Sequence, residues 1–334
     1  MCGIAGTVYN HNFFYGSEVR PEELNKVLDS FKNEDINSDQ LLDLSWKYKS
    51  NCNFIRYCKS KKEKVEISKF VSEINNLINK KRIELPKIDK TIFNKKYKTA
   101  KKDYSNLEDV YWFLKDEIEK QINTIDQLTE KKIVDLEDKE LIFYREISKV
   151  IHAIDNRLEL RGRDSFGISI MINSKNLSDI DHIKYSINNN SAINYSYNIK
   201  QGVYEFTFKT CDVIGSLGDN ATQIKNLIKN DKYFSKIINS NKIEKATIVG
   251  HTRWASVGEV SLENAHPISF QHENNNTNNI FSMSSLNGDI YNHKEIIDNS
   301  KASVKKDITS CTTDCLAIPM YVNDLQFIEN PKIL

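Results

Sequence analysis

The side chains best suited to chemistry lie in short clusters that are far apart in the sequence. The chain opens MCGIAG, and later clusters read RGRDSFG, GHTRWASVG, NAHP, LNGDIYN and TTDC. Removal of Met1 would leave Cys2 with a free α-amino group, which titrates at about 7.7–8.0 and can serve as a general base for the thiol. We therefore predict that Cys2 is a nucleophile.

The later clusters contain the other groups that an acyl transfer requires. An Asn287 side chain beside the Gly288 backbone N–H is a suitable pair of donors for a developing oxyanion. Arg253 and Asp314 could bind the carboxylate and the ammonium group of a free amino acid. The implied substrate is an amino acid with an electrophilic side chain.

Each cluster also has a structural interpretation when it is taken alone. Asn287-Gly288 is a common tight-turn signature, and Asp314 stands where a helix-capping residue would. Arg253 with its neighbouring tryptophan could form a surface stack, and the two histidines of these clusters could be buried and satisfied. The combination favours chemistry, because one nucleophile and all of its partners occur together.

The order of the six motifs resembles that of class II glutamine amidotransferases, the N-terminal-nucleophile type. GHTRWAS and RGRDSFG are most similar to the glutaminase domain of glutamine:fructose-6-phosphate amidotransferase, the isomerizing glucosamine-6-phosphate synthase. NGDIYNHKEI is closer to the corresponding segment of asparagine synthetases. The resemblance covers residues 1–17 and about 145–322.

The resemblance implies an enzyme in which Cys2 attacks the side-chain amide of glutamine, ammonia leaves, and water releases glutamate from a thioester. It implies that Asn287 and the Gly288 amide form the oxyanion hole, that Arg253 binds the glutamine carboxylate, and that Asp314 binds its α-amine. Ser256 and His266 would line the pocket, and Trp254 would lie near the ammonia exit. Arg161 and Gly162 would help to seat the N-terminal strand.

The resemblance further implies glutamine as substrate, a sugar phosphate as ammonia acceptor, and neither cofactor nor metal. Three departures stand out: a long insertion, Val257 in place of a histidine, and only twenty residues after Asp314. We therefore interpret the chain as part of a longer synthase-like protein, with sugar-isomerase domains or a subunit elsewhere. The alternatives are a non-catalytic interaction protein and an asparagine-synthetase-like glutaminase.

The composition gives no indication of a polyanionic or membrane partner. The 334 residues include 47 Lys and Arg against 46 Asp and Glu, a net charge of +1, so nucleic acid is not expected to bind. No apolar run approaches the roughly 18 residues of a membrane span, and a secretory signal is not evident, which predicts a cytoplasmic protein. Six cysteines in a chain of this length do not predict a disulfide framework.

The elements that must position these clusters suggest an α+β fold, a four-layer αββα N-terminal-nucleophile hydrolase sandwich with an incomplete C-terminal part. Strands are predicted at GIAGTVYN, FGISIMI, VYEFTFK and ATIVGH. PISF and IFSMSSL are predicted to form a hairpin with HENNNTNN at its tip. One amphipathic helix is predicted over QIKNLIKNDKYFSKII, and another over EISKVIHAIDNRLEL, ending at Gly162.

A glycine-free helical insertion is predicted over residues 18–144, which leaves 1–17 and 145–334 for the amidotransferase domain. Residues 59–102 hold 15 basic and 5 acidic residues, a net of +10. Residues 103–140 hold 5 and 12, a net of −7. We expect the two segments to pack as antiparallel helices whose opposite charges face each other.

Overall fold

The structure is a computed structural model that describes residues 2–10, 16–88, 95–174, 192–198, 202–211, 216–240, 242–272, 280–300 and 310–326. The chain divides into two compact units. The first comprises residues 1–11, 127–130 and 143–334, and the second comprises residues 12–126 and 131–142. We call them the sheet unit and the helical unit and describe each by itself.

The described residues between 21 and 153 are mostly helical. They are α1 (Pro21–Lys32), α2 (Ser38–Lys47), α3 (Asn51–Lys59), α4 (Lys61–Glu84), α5 (Lys95–Tyr111), α6 (Ile118–Leu128) and α7 (Asp138–Ala153). A π-helical turn at Trp112–Glu117 joins α5 to α6, and short 3-10 turns lie at Leu85–Lys87 and Ile133–Asp135.

Polar side chains at the helix starts explain why the helices begin where they do. The Asn37 side chain accepts hydrogen bonds from the backbone N–H groups of Asp39 and Gln40, which have no partner inside α2. Ser60 caps α4 in the same way by accepting from the Glu63 N–H. Each cap satisfies backbone donors that a helix leaves open in its first turn.

Opposite charges pair between helices of the helical unit, as the sequence predicts. Lys81 of α4 lies 3.2 Å from Asp103 of α5, and Arg82 lies 3.9 Å from Glu108. These pairs join the basic segment to the acidic one. The prediction is incomplete, because Lys102 of the basic segment pairs instead with Asp39 of α2.

The sheet unit is a mixed α+β structure built on a five-stranded antiparallel sheet. Its strands are β1 (Gly3–Asn10), β2 (Ser165–Ser174), β3 (Ile193–Asn198), β4 (Val203–Thr210) and β5 (Ile243–Arg253), in the order β1-β5-β2-β4-β3. A separate two-stranded sheet pairs β6 (Ile268–His272) with β7 (Ile280–Ser284). The predicted hairpin strands are thus confirmed, whereas residues 273–279 of the predicted tip lie outside the described residues.

Helices cover one face of the five-stranded sheet. Thr7 of β1 donates a hydrogen bond of 2.6 Å to Glu146 of α7, and Tyr9 packs edge-on against Phe143. The helices α8 (Asp219–Asn230) and α9 (Lys232–Asn239) follow β4, and Phe234 of α9 packs against the aromatic residues of that strand. One face of the sheet is therefore a conventional apolar core.

The other face of the same sheet is polar and also buried. Glu205 of β4 accepts hydrogen bonds from Ser169 of β2 at 2.9 Å and from Ser269 of β6 at 2.7 Å. The alternation of VYEFTFK is confirmed, but its polar side faces the second sheet and not solvent. Helix α11 (Ala317–Gln326) packs against β6 and β7, while α10 (His293–Asn299) follows β7.

Two predicted helices differ from the observed ones. The stretch QIKNLIKNDKYFSKII forms two helices, because the Asp231 side chain accepts the Phe234 N–H at 2.8 Å and starts α9. Helix α7 ends at Ala153 and continues only as a π-helical turn to Leu158, four residues before Gly162. Gly162 therefore does not end this helix directly.

No helix among the described residues is long and apolar enough to cross a membrane. None of the six cysteines, all of which lie in described segments, forms a disulfide bond.

Candidate active site

Cys2 lies at the carboxyl end of β5, because β1 pairs with that strand along its whole length. The register aligns Gly3 with Thr252, which brings the preceding residue to the end of β5. The Trp254 N–H donates to Cys2 Sγ at 3.4 Å, and the thiol lies 3.6 Å from the Trp254 carbonyl oxygen. Cys2 is partly exposed, so a small molecule could reach the sulfur.

The side chain of Arg253, the last residue of β5, holds the loop that follows. Its guanidinium donates to the carbonyl oxygens of Glu259 at 3.0 Å, of Val257, and of Gly258 at 3.4 Å. These contacts use three of the five N–H donors of a guanidinium. Burial lowers the pKa of Arg253, and the nearby Cys2, Asp164, Cys311 and Asp314 oppose that shift.

The RGRDSFG segment supports the same end of β5. A side chain on Gly162 would lie 2.8 Å from the backbone carbon of Arg253, so the close approach requires glycine. Asp164 accepts the Ala255 N–H at 2.7 Å and donates its own N–H to the Arg253 carbonyl at 3.1 Å. Arg161 is exposed, and its backbone N–H donates to the Leu158 carbonyl at 2.9 Å.

The segment Asn287-Gly288 is not a hairpin turn. It follows β7 and leads into α10, and both residues are exposed. The next two residues are bound by predicted site residues. Ser256 donates to the Asp289 carboxylate at 2.9 Å, and the Ile290 N–H donates to Asp314 Oδ2 at 2.7 Å.

Asp314 is buried and does not act as a helix cap. The N-cap of the short 3-10 turn Asp314–Leu316 is Thr313, whose hydroxyl donates to Asp314 Oδ1 at 3.3 Å. The other carboxylate oxygen accepts from Ile290, as described above. The carboxylate therefore faces the loop after β7, which is the loop that carries Asn287 and Gly288.

Two buried histidines form hydrogen bonds to the backbone of Leu286, the residue before Asn287. His251 Nε2 lies 3.0 Å from the Leu286 carbonyl oxygen, and the Leu286 N–H donates to His266 Nδ1 at 3.4 Å. Burial lowers the pKa of His251 to about 4, and burial with the neighbouring His251 and Arg253 lowers that of His266 to about 2. Both imidazoles are therefore neutral at physiological pH.

Sequence reasoning assigned no role to Asn264, which joins two of the clusters. Its side-chain oxygen accepts the N–H groups of Thr312 at 2.7 Å and Thr313 at 3.0 Å. Its amide donates to the Glu259 carbonyl at 3.1 Å and to the Thr312 hydroxyl at 2.9 Å. The sequence feature that could have drawn attention to Asn264 was its position within the NAHP cluster.

The predicted site residues thus fall into two groups. Cys2, Gly162, Arg253 and Trp254 meet at the end of β5, and Trp254 is 60% exposed. Ser256, His266 and Asp314 each bind the loop around Asn287 and Gly288 through its neighbours. Arg161 belongs to neither group. Within the described segments, no three His, Cys, Asp or Glu side chains are grouped as metal ligands would be.

Comparisons with protein-family models, with curated proteins and with solved structures gave no match for this chain. The motifs and the geometry of this site are therefore the features that bear on function.

Proposed function

We propose that the chain is a class II glutamine amidotransferase, in which Cys2 releases ammonia from glutamine. The observation that carries the proposal is the contact between Cys2 Sγ and the Trp254 N–H at 3.4 Å. This contact joins the second residue of the chain to the segment that contains Arg253 and Ser256. The nucleophile and the proposed carboxylate ligand are therefore neighbours, although some 250 residues separate them in sequence.

The proposed reaction has two steps at one sulfur atom. The α-amino group of Cys2 accepts the thiol proton while the sulfur bonds to the side-chain amide carbon of glutamine. The carbon–nitrogen bond then breaks, the amine returns its proton to the departing nitrogen, and ammonia leaves. Water attacks the thioester, which releases glutamate and restores the thiol.

The roles of the surrounding groups follow from charge and position. The Asn287 amide and the Gly288 N–H are exposed donors for the oxyanion of each tetrahedral intermediate. Arg253 keeps N–H donors beyond those bound to its own loop and would bind the substrate carboxylate. Asp314 would attract the substrate ammonium group.

We also propose a more specific fold for the segments that carry the site. The polar face of the five-stranded sheet is bridged to β6 through Glu205, and helices pack outside both sheets. This arrangement is compatible with an αββα N-terminal-nucleophile hydrolase fold over residues 1–17 and 145–334. Residues 18–144 would then be the helical insertion.

The acceptor of the ammonia is proposed from the motifs alone. The similarity of GHTRWAS and RGRDSFG to the glucosamine-6-phosphate synthase type favours a sugar phosphate, fructose 6-phosphate, as acceptor in the cytoplasm. The acceptor site would lie in sugar-isomerase domains or a subunit outside this chain. An asparagine-synthetase-like acceptor remains the alternative within the same enzyme class.

The test is glutamate release from glutamine by the purified chain and two cysteine variants. Cys2→Ala is expected to lower kcat by about a thousandfold, as removal of a nucleophile does. Cys52→Ala is the matched control, since Cys52 is also a partly exposed thiol, and it should retain wild-type activity. Equal rates for wild type and Cys2→Ala would reject the proposal, as would an intact mass showing that Met1 is retained.

A second candidate function is a protein interaction through the helical unit. The described residues 80–88 and 95–102 contain nine Lys and Arg and only one acidic residue, Glu84. Lys80, Lys87 and Lys95 are exposed in this segment. Charge reversal of these three lysines should abolish complex formation and leave glutamine hydrolysis unchanged, if the unit binds an acidic partner. Unchanged complex formation would reject this candidate.

A further inference from the structure

Both backbone polar groups of Leu286, the residue before Asn287, are bound by imidazole rings. The Leu286 carbonyl oxygen lies 3.0 Å from His251 Nε2, and the Leu286 N–H lies 3.4 Å from His266 Nδ1. The histidines come from separate segments, one in β5 and one just before β6. Their ring centroids are 4.5 Å apart, so the two rings pack against each other.

The partners of each ring nitrogen define where the protons are. A backbone N–H can only donate, so His266 Nδ1 is the bare nitrogen and Nε2 carries the proton. His266 Nε2 then donates to the Thr313 hydroxyl at 3.2 Å, which in turn donates to Asp314. A carbonyl can only accept, so the proton of His251 is on Nε2, facing Leu286.

Burial and nearby cations keep both rings neutral, and their hydrogen-bond partners allow only one tautomer of each ring. His251 is fully buried, His266 is 3% exposed, and the cationic groups near them are Arg253 and, for His266, Lys209. His251 Nδ1 has no hydrogen-bond partner within the described residues. A second proton on either ring would be an uncompensated buried charge next to other cations.

The loop around Asn287 and Gly288 is bound at three neighbouring residues. The two histidines bind Leu286, Ser256 binds Asp289, and Asp314 binds Ile290. The Leu286 N–H and C=O belong to the two successive peptide groups that flank its Cα, so neither peptide group can rotate without breaking a hydrogen bond to an imidazole. The second of these peptide groups contains the Asn287 N–H, so the orientation of Asn287 and of the Gly288 N–H that follows depends on the two bonds.

We propose that His251 and His266 are positioning residues that hold the two peptide groups flanking Leu286 and thereby aim the oxyanion donors of Asn287 and Gly288. The inference depends on the proposed glutaminase activity, because the donors have a task only if an oxyanion forms. The pocket-lining role that the resemblance implies for His266 is replaced here, because His266 is 3% exposed and its two ring nitrogens bind Leu286 and Thr313. Neither histidine touches the substrate. They act on the reaction through the Leu286 backbone alone.

Amide side chains can replace one ring nitrogen at a time, which gives matched pairs of variants. Asparagine places a polar atom near the Nδ1 position of histidine, and glutamine places one near Nε2. His251→Gln and His266→Asn therefore keep the bond to Leu286. His251→Asn and His266→Gln lose that bond, although each changes the same residue to a similar amide.

The expected result is a difference within each pair that appears in kcat. His251→Asn and His266→Gln should lower kcat for glutamine hydrolysis by about tenfold to a hundredfold, since donors are misplaced but not removed. Their KM for glutamine should stay within about twofold of wild type. His251→Gln and His266→Asn should keep kcat within about threefold of wild type.

Equal loss of kcat in both members of a pair would overturn the inference, as would a loss that appears mainly in KM. The rate of Cys2 alkylation by iodoacetamide, which forms no oxyanion, should be the same in all four variants. Failure of the proposed function has a different signature, namely equal hydrolysis by wild type and Cys2→Ala.

Hydrogen exchange of the backbone amides of residues 285–290 gives a readout independent of activity. Exchange should be faster in His251→Asn and His266→Gln than in their partners, and equal exchange would overturn the inference.

Discussion

The two units of the chain use polar side chains in opposite ways. In the helical unit, several interhelical polar contacts are ion pairs with solvent access, such as Lys102 with Asp39. In the sheet unit, the corresponding contacts run from buried side chains to backbone groups, as from Asn264 to the Thr312 and Thr313 amides. The two kinds of contact should differ in their cost when broken.

The physical reason is the access of water to the partner that remains. An exposed lysine that loses a carboxylate is hydrated again, so such pairs contribute about 0–1 kcal/mol. A buried backbone N–H that loses its acceptor stays unsatisfied at about 1–3 kcal/mol. The candidate site is thus built from contacts that fix one geometry, whereas the ion pairs of the helical unit tolerate change.

The largest expected effect comes from Asn264→Ala. This change leaves the buried Thr313 N–H and the partly buried Thr312 N–H without their acceptor and should lower the free energy of unfolding by about 4 kcal/mol. The matched control is Asn106→Ala in the helical unit, whose amide donates to the Ser38 and Asp39 side chains. It should cost about 1–2 kcal/mol, because the Asp39 carboxylate can turn to water and only the buried Ser38 hydroxyl is left without its donor. Urea unfolding would measure both, and equal losses would remove the distinction between the units.

The second prediction concerns Lys209, a buried cation on the polar face of β4. Its ammonium group is without a hydrogen-bond partner in the described part of the chain, and burial lowers its pKa from 10.5 to about 8. The folded chain therefore holds the proton less tightly than the unfolded chain. The cost at pH 7 is on the order of 3 kcal/mol and disappears as the pH rises from about 8 to 10.5.

Lys209→Met should accordingly stabilise the chain at pH 7 and lose this rise of stability with pH. Denaturant midpoints at pH 7 and pH 10 would measure the change. Lys102→Met in the helical unit is the matched control, since Lys102 is exposed, and it should show neither effect. A destabilised Lys209→Met protein would indicate that the ammonium group has a partner that stabilises it.

The third prediction separates the units by acid sensitivity. Folding lowers the pKa of His251 from 6.5 to about 4 and that of His266 to about 2, so the unfolded chain takes up these protons first. Stability should therefore be full above pH 6.5 and fall by about 2 kcal/mol per histidine at pH 5. Residues 12–142 contain no histidine, so the helical unit should show no such loss.

Hydrogen exchange at pH 7 and pH 5, corrected for intrinsic rates, would resolve the two units. His251→Gln should reduce the acid loss of the sheet unit by about 2 kcal/mol, because its side chain does not titrate. An equal acid loss in both units would contradict the assignment of these neutral histidines.

The smallest expected effect is that of an exposed ion pair. Lys102→Met breaks the contact with Asp39 and should change the free energy of unfolding by less than about 0.5 kcal/mol at pH 7. The same change should matter even less at high salt, because exposed charges are screened. A loss above 1 kcal/mol would mean that the helical unit depends on its charge pairs more than this account allows.

Sequence periodicity predicted six of the seven strands in the described residues, because alternating apolar residues indicate a sheet wherever one face is a core; β3 (Ile193–Asn198) was not predicted. It could not reveal that the polar face of β4 is also buried, since Glu205 and Lys209 look like solvent-facing residues. The break at Asp231 was missed because the apolar spacing continues through it. Local capping by that side chain overrides the pattern.

The candidate site was predictable as a set of clusters and not as a set of contacts. Cys2 and Arg253 could be chosen by residue type, and the strand pairing brings them to one place. The hairpin-turn alternative for Asn287-Gly288 does not hold, because the segment runs from β7 towards α10 and not between two paired strands. The role proposed for Leu286 lies in its backbone, and side-chain chemistry in a sequence gives no signal for a backbone group.

The most direct test of the central claim is covalent labelling by an electrophilic glutamine analogue, a diazoketone at the side-chain position, followed by peptide mass spectrometry. Six thiols compete for the reagent, and Cys2, Cys52 and Cys211 are all partly exposed. We predict one adduct per chain, located on Cys2 and suppressed by excess glutamine. Labelling spread over the three exposed thiols, or a Cys2 adduct that glutamine does not suppress, would contradict the claim that Cys2 is a glutamine-directed nucleophile.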